Sequence, residues 1–166
     1  MTPEKLKPTL RREVKPSDPE AVREILVSSG FFRDDEIPVA VELVQECLEK
    51  GPACGYDFFF ADVEGKLVAY ACYGLIPCTI ANYDLYWIAA HQDFRGKGVG
   101  TMLLKAVESA VMELGGRGLY IETSSLPTYQ PTRDFYLRNG YPEVARLQDF
   151  YQVGDDKVVY AKRFEL

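Results

Sequence analysis

Leu85-Tyr86-Trp87-Ile88-Ala89-Ala90, followed by His91-Gln92-Asp93-Phe94 and then Arg95-Gly96-Lys97-Gly98-Val99-Gly100-Thr101, is an apolar run, a short polar connection and a glycine-rich turn. The apolar run has the length of a strand. Over residues 98–114, Leu103, Val107, Ala110 and Leu114 recur at helical spacing, and Gly115-Gly116 ends the pattern. Residues 118–123 then read as a strand again. Strand, helix and strand in that order form a right-handed crossover between parallel strands, with the loop before the helix at their carboxyl ends. Ligands of open α/β sheets sit at that edge. The glycine loop is therefore the first place to look for function.

Around this unit the chain is mostly strand. Residues 1–8 read as a loose tail and residues 9–166 as one domain, with a first strand over residues 9–15. Pro16-Ser17-Asp18-Pro19-Glu20 starts a helix in one of two ways. Either Ser17 caps it with Glu20 completing a capping box, or Asp18 caps it with Pro19 at the first helical position. Val22, Ile25, Leu26 and Ser29 follow on one face and Gly30 supplies the stop. A second helix carries Ile37, Val41, Val44 and Leu48 as its apolar stripe, and residues 34–50 hold six carboxylates against one lysine. Such a face is usually just solvated. Residues 57–63 and 66–75 read as a hairpin turning at Glu64-Gly65. Residues 131–139 read as a short helix, and residues 144–151 and 157–163 as a last strand pair around Gly154.

With 166 residues, 47% hydrophobic and 27% charged, the chain has the material for one packed core. Its net charge of −6 argues against a general nucleic-acid binder, which needs a basic face, and leaves room for a cationic partner. No apolar stretch has the length of a membrane span, and residues 1–10 lack a signal-peptide pattern. Cys47, Cys54, Cys72 and Cys78 form no CxxC pair, and His91 is the only histidine. The expectation is four free, mostly buried thiols in a reducing cytoplasm, with no metal site.

In the loop, three glycines let a ligand approach the backbone and expose successive N–H groups at a helix start, with Arg95 and Lys97 beside them. That chemistry suits an anion such as a pyrophosphate. The spelling does not fit GxxxxGK[ST], because Gly98 follows Lys97. A dinucleotide fingerprint beginning at Gly98 and Gly100, with Glu122 as ribose acceptor, matches weakly, since Leu103 stands at its third glycine. The segment resembles the acetyl-CoA motif of the GNAT superfamily of acyl-CoA-dependent N-acyltransferases, [RQ]-x-x-G-x-[GA], through Arg95, Gly98 and Gly100. The strand before it and the helix ending Phe135-Tyr136-Leu137-Arg138-Asn139-Gly140-Tyr141 are also similar to that family, and the element order agrees from about residue 9 to residue 163.

The resemblance implies an α/β fold whose mixed, mostly antiparallel sheet has one central, splayed parallel strand pair and flanking helices. It implies acetyl-CoA as co-substrate without a metal. The pyrophosphate would lie on the backbone N–H groups of Arg95, Gly96, Lys97, Gly98, Val99, Gly100 and Thr101. Pantetheine would run along Ile88, Ala89 and Ala90. Tyr129 stands where many members carry an asparagine contacting pantetheine, so that contact is not carried over; Gln92, in place of a common proline, is a harmless departure.

Acetyl transfer to an amine needs a neutral nucleophile, a stabilised oxyanion and a proton for the departing thiolate. By resemblance, Tyr136 is the proton donor and Glu122 or Asp84 the base, with water as a further candidate. Asp84 is one methylene shorter than the glutamate of other members. Strand alternation puts Asp84 on a face with Tyr86 and Ile88, and Glu122 with Tyr120. His91 reads as a solvated loop residue without an orienting partner. Phe31, Phe32, Tyr73, Asp149 and Tyr151 fall in regions that shape the family's acceptor pocket. The reading is an N-acetyltransferase acting on a primary amine of a small molecule or peptide, with a non-catalytic acyl-CoA-binding regulatory domain as the alternative. Neither nucleic acid nor membrane is expected as partner, and a homodimer is compatible with a sequence that is silent on oligomeric state.

Overall fold

The computed structural model describes residues 7–165; most of the expected tail lies outside the described residues. Seven strands, β1 (Thr9–Arg11), β2 (Asp57–Val63), β3 (Lys66–Leu75), β4 (Asn82–Ala90), β5 (Gly118–Ser124), β6 (Glu143–Gln152) and β7 (Asp155–Arg163), are ordered β1-β2-β3-β4-β5-β7-β6. The helices are α1 (Asp18–Ser29), α2 (Glu36–Lys50), α3 (Val99–Glu113) and α4 (Gln130–Arg138). Only β4 and β5 are parallel among the described pairings. The mixed sheet with one parallel pair and flanking helices is thus the expected fold class. The described residues fall into two compact units, the first comprising residues 7–73 and Trp87–Val107, the second Gly74–Tyr86 and residues 108–165.

In the first unit, β2 and β3 form the expected hairpin. Glu64 and Gly65 both take positive φ, 51° and 77°, the two-residue turn whose twist matches the strands. β3 is buried at every residue from Leu67 to Gly74, so it is a central strand covered on both faces. Against it α1 buries Val22, Ile25 and Leu26, and α2 buries Ile37, Ala40, Val44 and Cys47, around Phe58, Phe60, Tyr70 and Cys72. The stripe of α2 is rotated from the expected one: small Ala40 and Cys47 face inward, while Val41 and Leu48 are only partly buried.

Two local expectations fail here. Neither Ser17 nor Asp18 caps α1: Ser17 makes no capping hydrogen bond, and the buried Asp18 carboxylate takes both guanidinium nitrogens of Arg11 at 2.6 and 2.7 Å plus the Lys15 amide. A carboxylate out of water needs a cation more than α1 needs its cap. Cys47 and Cys54 are not free thiols but a disulfide. The break at Gly51-Pro52 folds into a 3₁₀ turn, Gly51–Cys54, that brings the two Cα atoms to 5.0 Å. Cys72 is a buried free thiol as expected, whereas Cys78 is exposed.

In the second unit, β5 pairs with β4 on one edge, from Asn82↔Gly118 to Leu85↔Ile121, and with β7 on the other along its whole length. The β4–β5 ladder stops there, although β4 runs on to Ala90 and β5 to Ser124. The last helical turn differs from expectation: α3 ends at Glu113, and Leu114 is exposed. β6 is exposed throughout, with its register to β7 interrupted between Leu147 and Gln152, where Asp149 takes a φ of 50°.

Candidate active site

The glycine loop, in the first unit, is tied to the end of α1. The Arg95 guanidinium donates to the Ser29 carbonyl at 2.7 Å and lies 4.1 Å over the Phe31 ring. The Gln92 amide donates to Ser28 Oγ at 3.2 Å. The Arg95 amide is used locally, on the Gln92 carbonyl. Beyond it the chain turns through Gly96 and Gly98 at φ 69° and 83°, a region that side chains disfavour. Among the described residues, the next backbone amide after that of Arg95 to bond a main-chain carbonyl is that of Met102, on Gly98 at 3.0 Å. The amides of residues 96–101 therefore stand ahead of it at the positive end of α3. Lys97 is exposed beside them, 5.3 Å from the Phe94 ring centroid.

His91 has a structural task. Its Nδ1 accepts from the Asp93 amide at 3.2 Å, capping the 3₁₀ turn Gln92–Phe94, and its own amide bonds the Val68 carbonyl. Ile88, Ala89 and Ala90 lie past the last registered β4–β5 pair and are half-buried. Trp87 and Ala89 pack on the α1–α2 core, the Trp87 ring 5.5 Å from that of Phe32. Tyr73 is fully buried and its hydroxyl accepts from Arg12 at 2.6 Å.

The candidate acids and bases stand in the second unit. The registered pairs Asp84↔Tyr120, Glu122↔Val159 and Ser124↔Lys157 put Asp84, Tyr120, Glu122, Ser124 and Lys157 on one face of the sheet. Glu122 is half-exposed and binds Lys157 Nζ at 2.9 Å. Lys157 Nζ also lies 4.1 Å from the Phe150 ring centroid. Asp84 is half-buried; burial first, then the charge of Glu122, push its carboxyl up to about 6, while Lys157 pulls it back. Asp149 and Tyr151 lie at the β6 irregularity, Asp149 accepting from the Gly154 amide and Tyr151 edge-on to Phe150.

Tyr136 occupies the opposite face. Its buried ring packs 5.8 Å from Tyr160, which alternates with Lys157 and Val159 along β7, and 5.5 Å from Phe135. Burial, with Tyr160 as the second cause, raises its phenol well above the ordinary value. A phenol that stays protonated is suited to giving a proton and unsuited to taking one. The structure thus groups Asp84 with Glu122 and sets Tyr136 across the sheet from them.

Lys157, Phe150, Ser28 and Ser29 are the residues that sequence reasoning missed. Their roles depend on cross-strand register or on contacts spanning more than sixty positions, for which the sequence carries no local signal. Among the described residues, no group of three His, Cys, Asp or Glu could hold a metal ion, and no helix is long and apolar enough to cross a membrane.

The model of the acetyltransferase (GNAT) family matches residues 20–141. A solved structure of a GNAT-family protein from Desulfovibrio desulfuricans is 45% identical, with a TM-score of 0.90, over 94% of this chain and 98% of that one. An uncharacterised N-acetyltransferase of Methanocaldococcus jannaschii is 28% identical over 64% of this chain and 65% of its own. An N-alpha-acetyltransferase of Sulfurisphaera tokodaii is 28% identical over 63% and 67%. The chain spans about two thirds of the length of these curated relatives. With the glycine loop, the parallel β4–β5 pair and the family match running through both, the chain belongs to the GNAT acetyltransferase family.

Proposed function

We propose that this protein transfers the acetyl group of acetyl-CoA to a primary amine, of a small molecule or a peptide, by direct attack. The observation that carries the reading is the run of amides from residue 96 to residue 101, which turns through Gly96 and Gly98 at positive φ ahead of the Met102 amide of α3. A pyrophosphate fits that run, with Lys97 as added charge. The cradle begins at Gly96 rather than at Arg95, whose amide is engaged and whose guanidinium braces the loop. Ile88, Ala89 and Ala90, past the end of the β4–β5 ladder, are the strand residues available to pantetheine.

Acetyl-CoA supplies the thioester. Of the two candidate bases, Asp84 is the better suited: a carboxyl near 6 keeps most of its charge at neutral pH yet accepts a proton more readily than an ordinary aspartate. Glu122 is engaged by Lys157. Asp84 receives the proton that frees the amine lone pair, the nitrogen–carbon bond forms, the carbon–sulfur bond breaks as Tyr136 gives its proton to the sulfur, and the nitrogen's second proton restores the Tyr136 phenol, leaving a neutral amide and the free thiol of CoA. Acid and base lie on opposite faces of the sheet within the second unit. The acidic pair and the net charge of −6 favour a cationic acceptor.

Thermal shifts with acetyl-CoA, CoA, NAD and ATP in parallel test the loop. A ligand at about a hundred times its Kd adds about 2.7 kcal/mol, a rise of several degrees at this size. Acetyl-CoA and CoA alone are expected to give it, and thiol release against a panel of amines then identifies the acceptor. A rise with NAD alone overturns the reading. Binding of CoA with no thiol release from any amine leaves a non-catalytic acyl-CoA-binding domain.

A further inference from the structure

Lys157 is registered with Ser124 on one side and with Leu147 on the other, on the sheet face that carries Asp84 and Glu122. From Ser124 it reaches diagonally to Glu122, two residues earlier on β5, at 2.9 Å. The same ammonium lies 4.1 Å from the centre of the Phe150 ring. Its side chain is only 15% exposed, against 50% for Glu122. A carboxylate on one side and an aromatic face on the other thus hold the ammonium in place. Among the described residues Asp84 makes no ion pair, although it shares the face with both.

We propose that Lys157 is a positioning residue that divides the work between the two carboxylates: held by the Phe150 ring, it engages Glu122 and so leaves Asp84 as the carboxylate that takes the acceptor's proton. The proposal rests on the reading of Asp84 as the base. Two carboxylates on one face compete for a single proton, and a cation bound to one of them removes the ambiguity.

The groups that face Asp84 are Glu122 and Tyr120 from β5, Lys157 from β7 and Tyr86 along its own strand. Burial and Glu122 raise Asp84, and Lys157 lowers it. Removing the lysine therefore leaves Asp84 facing a bare carboxylate and moves its midpoint upward. Removing Glu122 moves it downward.

The test is a carboxyl 13C NMR titration of the full chain, with Asp84 assigned through Asp84→Asn, run beside the pH profile of kcat/KM for the amine found by thiol release. In Lys157→Met the Asp84 midpoint and the acid limb of kcat/KM are expected to rise together by about one pH unit, with KM for acetyl-CoA unchanged. Lys157→Arg, which keeps the charge, is expected to return both to within a few tenths of the wild-type values. An unmoved midpoint in a Lys157→Met protein of wild-type melting temperature overturns the proposal. If Lys157→Met does not fold, Glu122→Gln decides: a fall of the Asp84 midpoint supports the proposal and no fall overturns it. Amine acetylation that persists with no such shift sinks the proposal alone. Absence of acetyl transfer from the wild-type protein to any amine sinks the functional reading and the proposal with it.

Discussion

The guanidinium of Arg95 donates a 2.7 Å hydrogen bond to the main-chain carbonyl of Ser29, at the last residue of α1, while stacked on Phe31. The arginine of the motif therefore braces the loop against the end of α1. Arg95→Ala removes both contacts and is expected to weaken CoA binding about tenfold, since a hydrogen bond from a charged donor contributes about 1.5–3 kcal/mol. Arg95→Lys keeps the charge but neither the fork nor the stacking plane. It is expected to behave like the alanine variant by isothermal titration with CoA. Wild-type affinity in Arg95→Lys would instead make charge the relevant property.

Gly98 and Gly116 separate backbone strain from crowding. At Gly98, φ is 83° and a Cβ would meet nothing within 4 Å, so Gly98→Ala is expected to cost about 1–2 kcal/mol of stability through the left-handed backbone. Its loss of CoA affinity should exceed what that cost alone gives, because the loop amides are re-aimed. At Gly116 a Cβ would stand 2.6 Å from the Val111 carbonyl oxygen, so something must shift. Gly116→Ala is expected to destabilise by about 3 kcal/mol or more. Urea denaturation of both variants checks the order.

The sequence carried what is local. The β2–β3 hairpin shows because Glu64-Gly65 sits between two apolar runs, and the crossover shows because helical spacing follows a strand and a glycine turn. Tyr136 and the loop glycines stand out as candidates because they belong to short motifs. What escaped is what register and pairing decide. The Cys47–Cys54 link depends on the path through Gly51-Pro52. The choice between Asp84 and Glu122 depends on Lys157, thirty-five residues after Glu122, landing opposite Ser124. Ser17 and Asp18 spell a cap, but the partner that removes Asp18 from it, Arg11, lies on strand β1.

Tyr136→Phe tests the proton donor. The ring keeps its packing on Phe135 and Tyr160, so the melting temperature and the Kd for CoA are expected to stay close to wild type. Loss of a general acid typically lowers kcat by about 10²–10⁴-fold. An unchanged kcat would assign the proton to water and leave Tyr136 a core residue.

Reduction of Cys47–Cys54 tests the link across the α2 terminus. It closes a loop of sequence separation 7, and chain-entropy arguments give about 2 kcal/mol for a loop so short. Dithiothreitol, or Cys54→Ser, is expected to lower the melting temperature by several degrees at this chain length. A melt indifferent to reductant would mean that packing of α2 alone fixes this end.

Asp84 makes stability depend on pH in the direction opposite to that of a salt-bridged carboxylate. Its carboxyl is raised from the usual 3.8 to about 6 by burial and then by Glu122. Between those values the folded chain holds more protons at this site than the unfolded chain, so the stability it contributes is lost as pH rises. The loss is complete above about pH 6, and the contribution is full below about pH 4. A rise from 3.8 to about 6 corresponds to an upper bound of about 3 kcal/mol; solvent screening of a half-exposed group reduces this to about 1 kcal/mol. Other carboxylates add their own slopes, so the comparison is with Asp84→Asn, which cannot ionise. Relative to wild type, the asparagine variant is expected to gain about 1 kcal/mol in going from pH 4.5 to pH 7.5, measured by urea denaturation at each pH. A constant difference between the two proteins across that range would place the Asp84 midpoint at its ordinary value and leave only the Lys157–Glu122 ion pair as a reason for preferring Asp84 as the base.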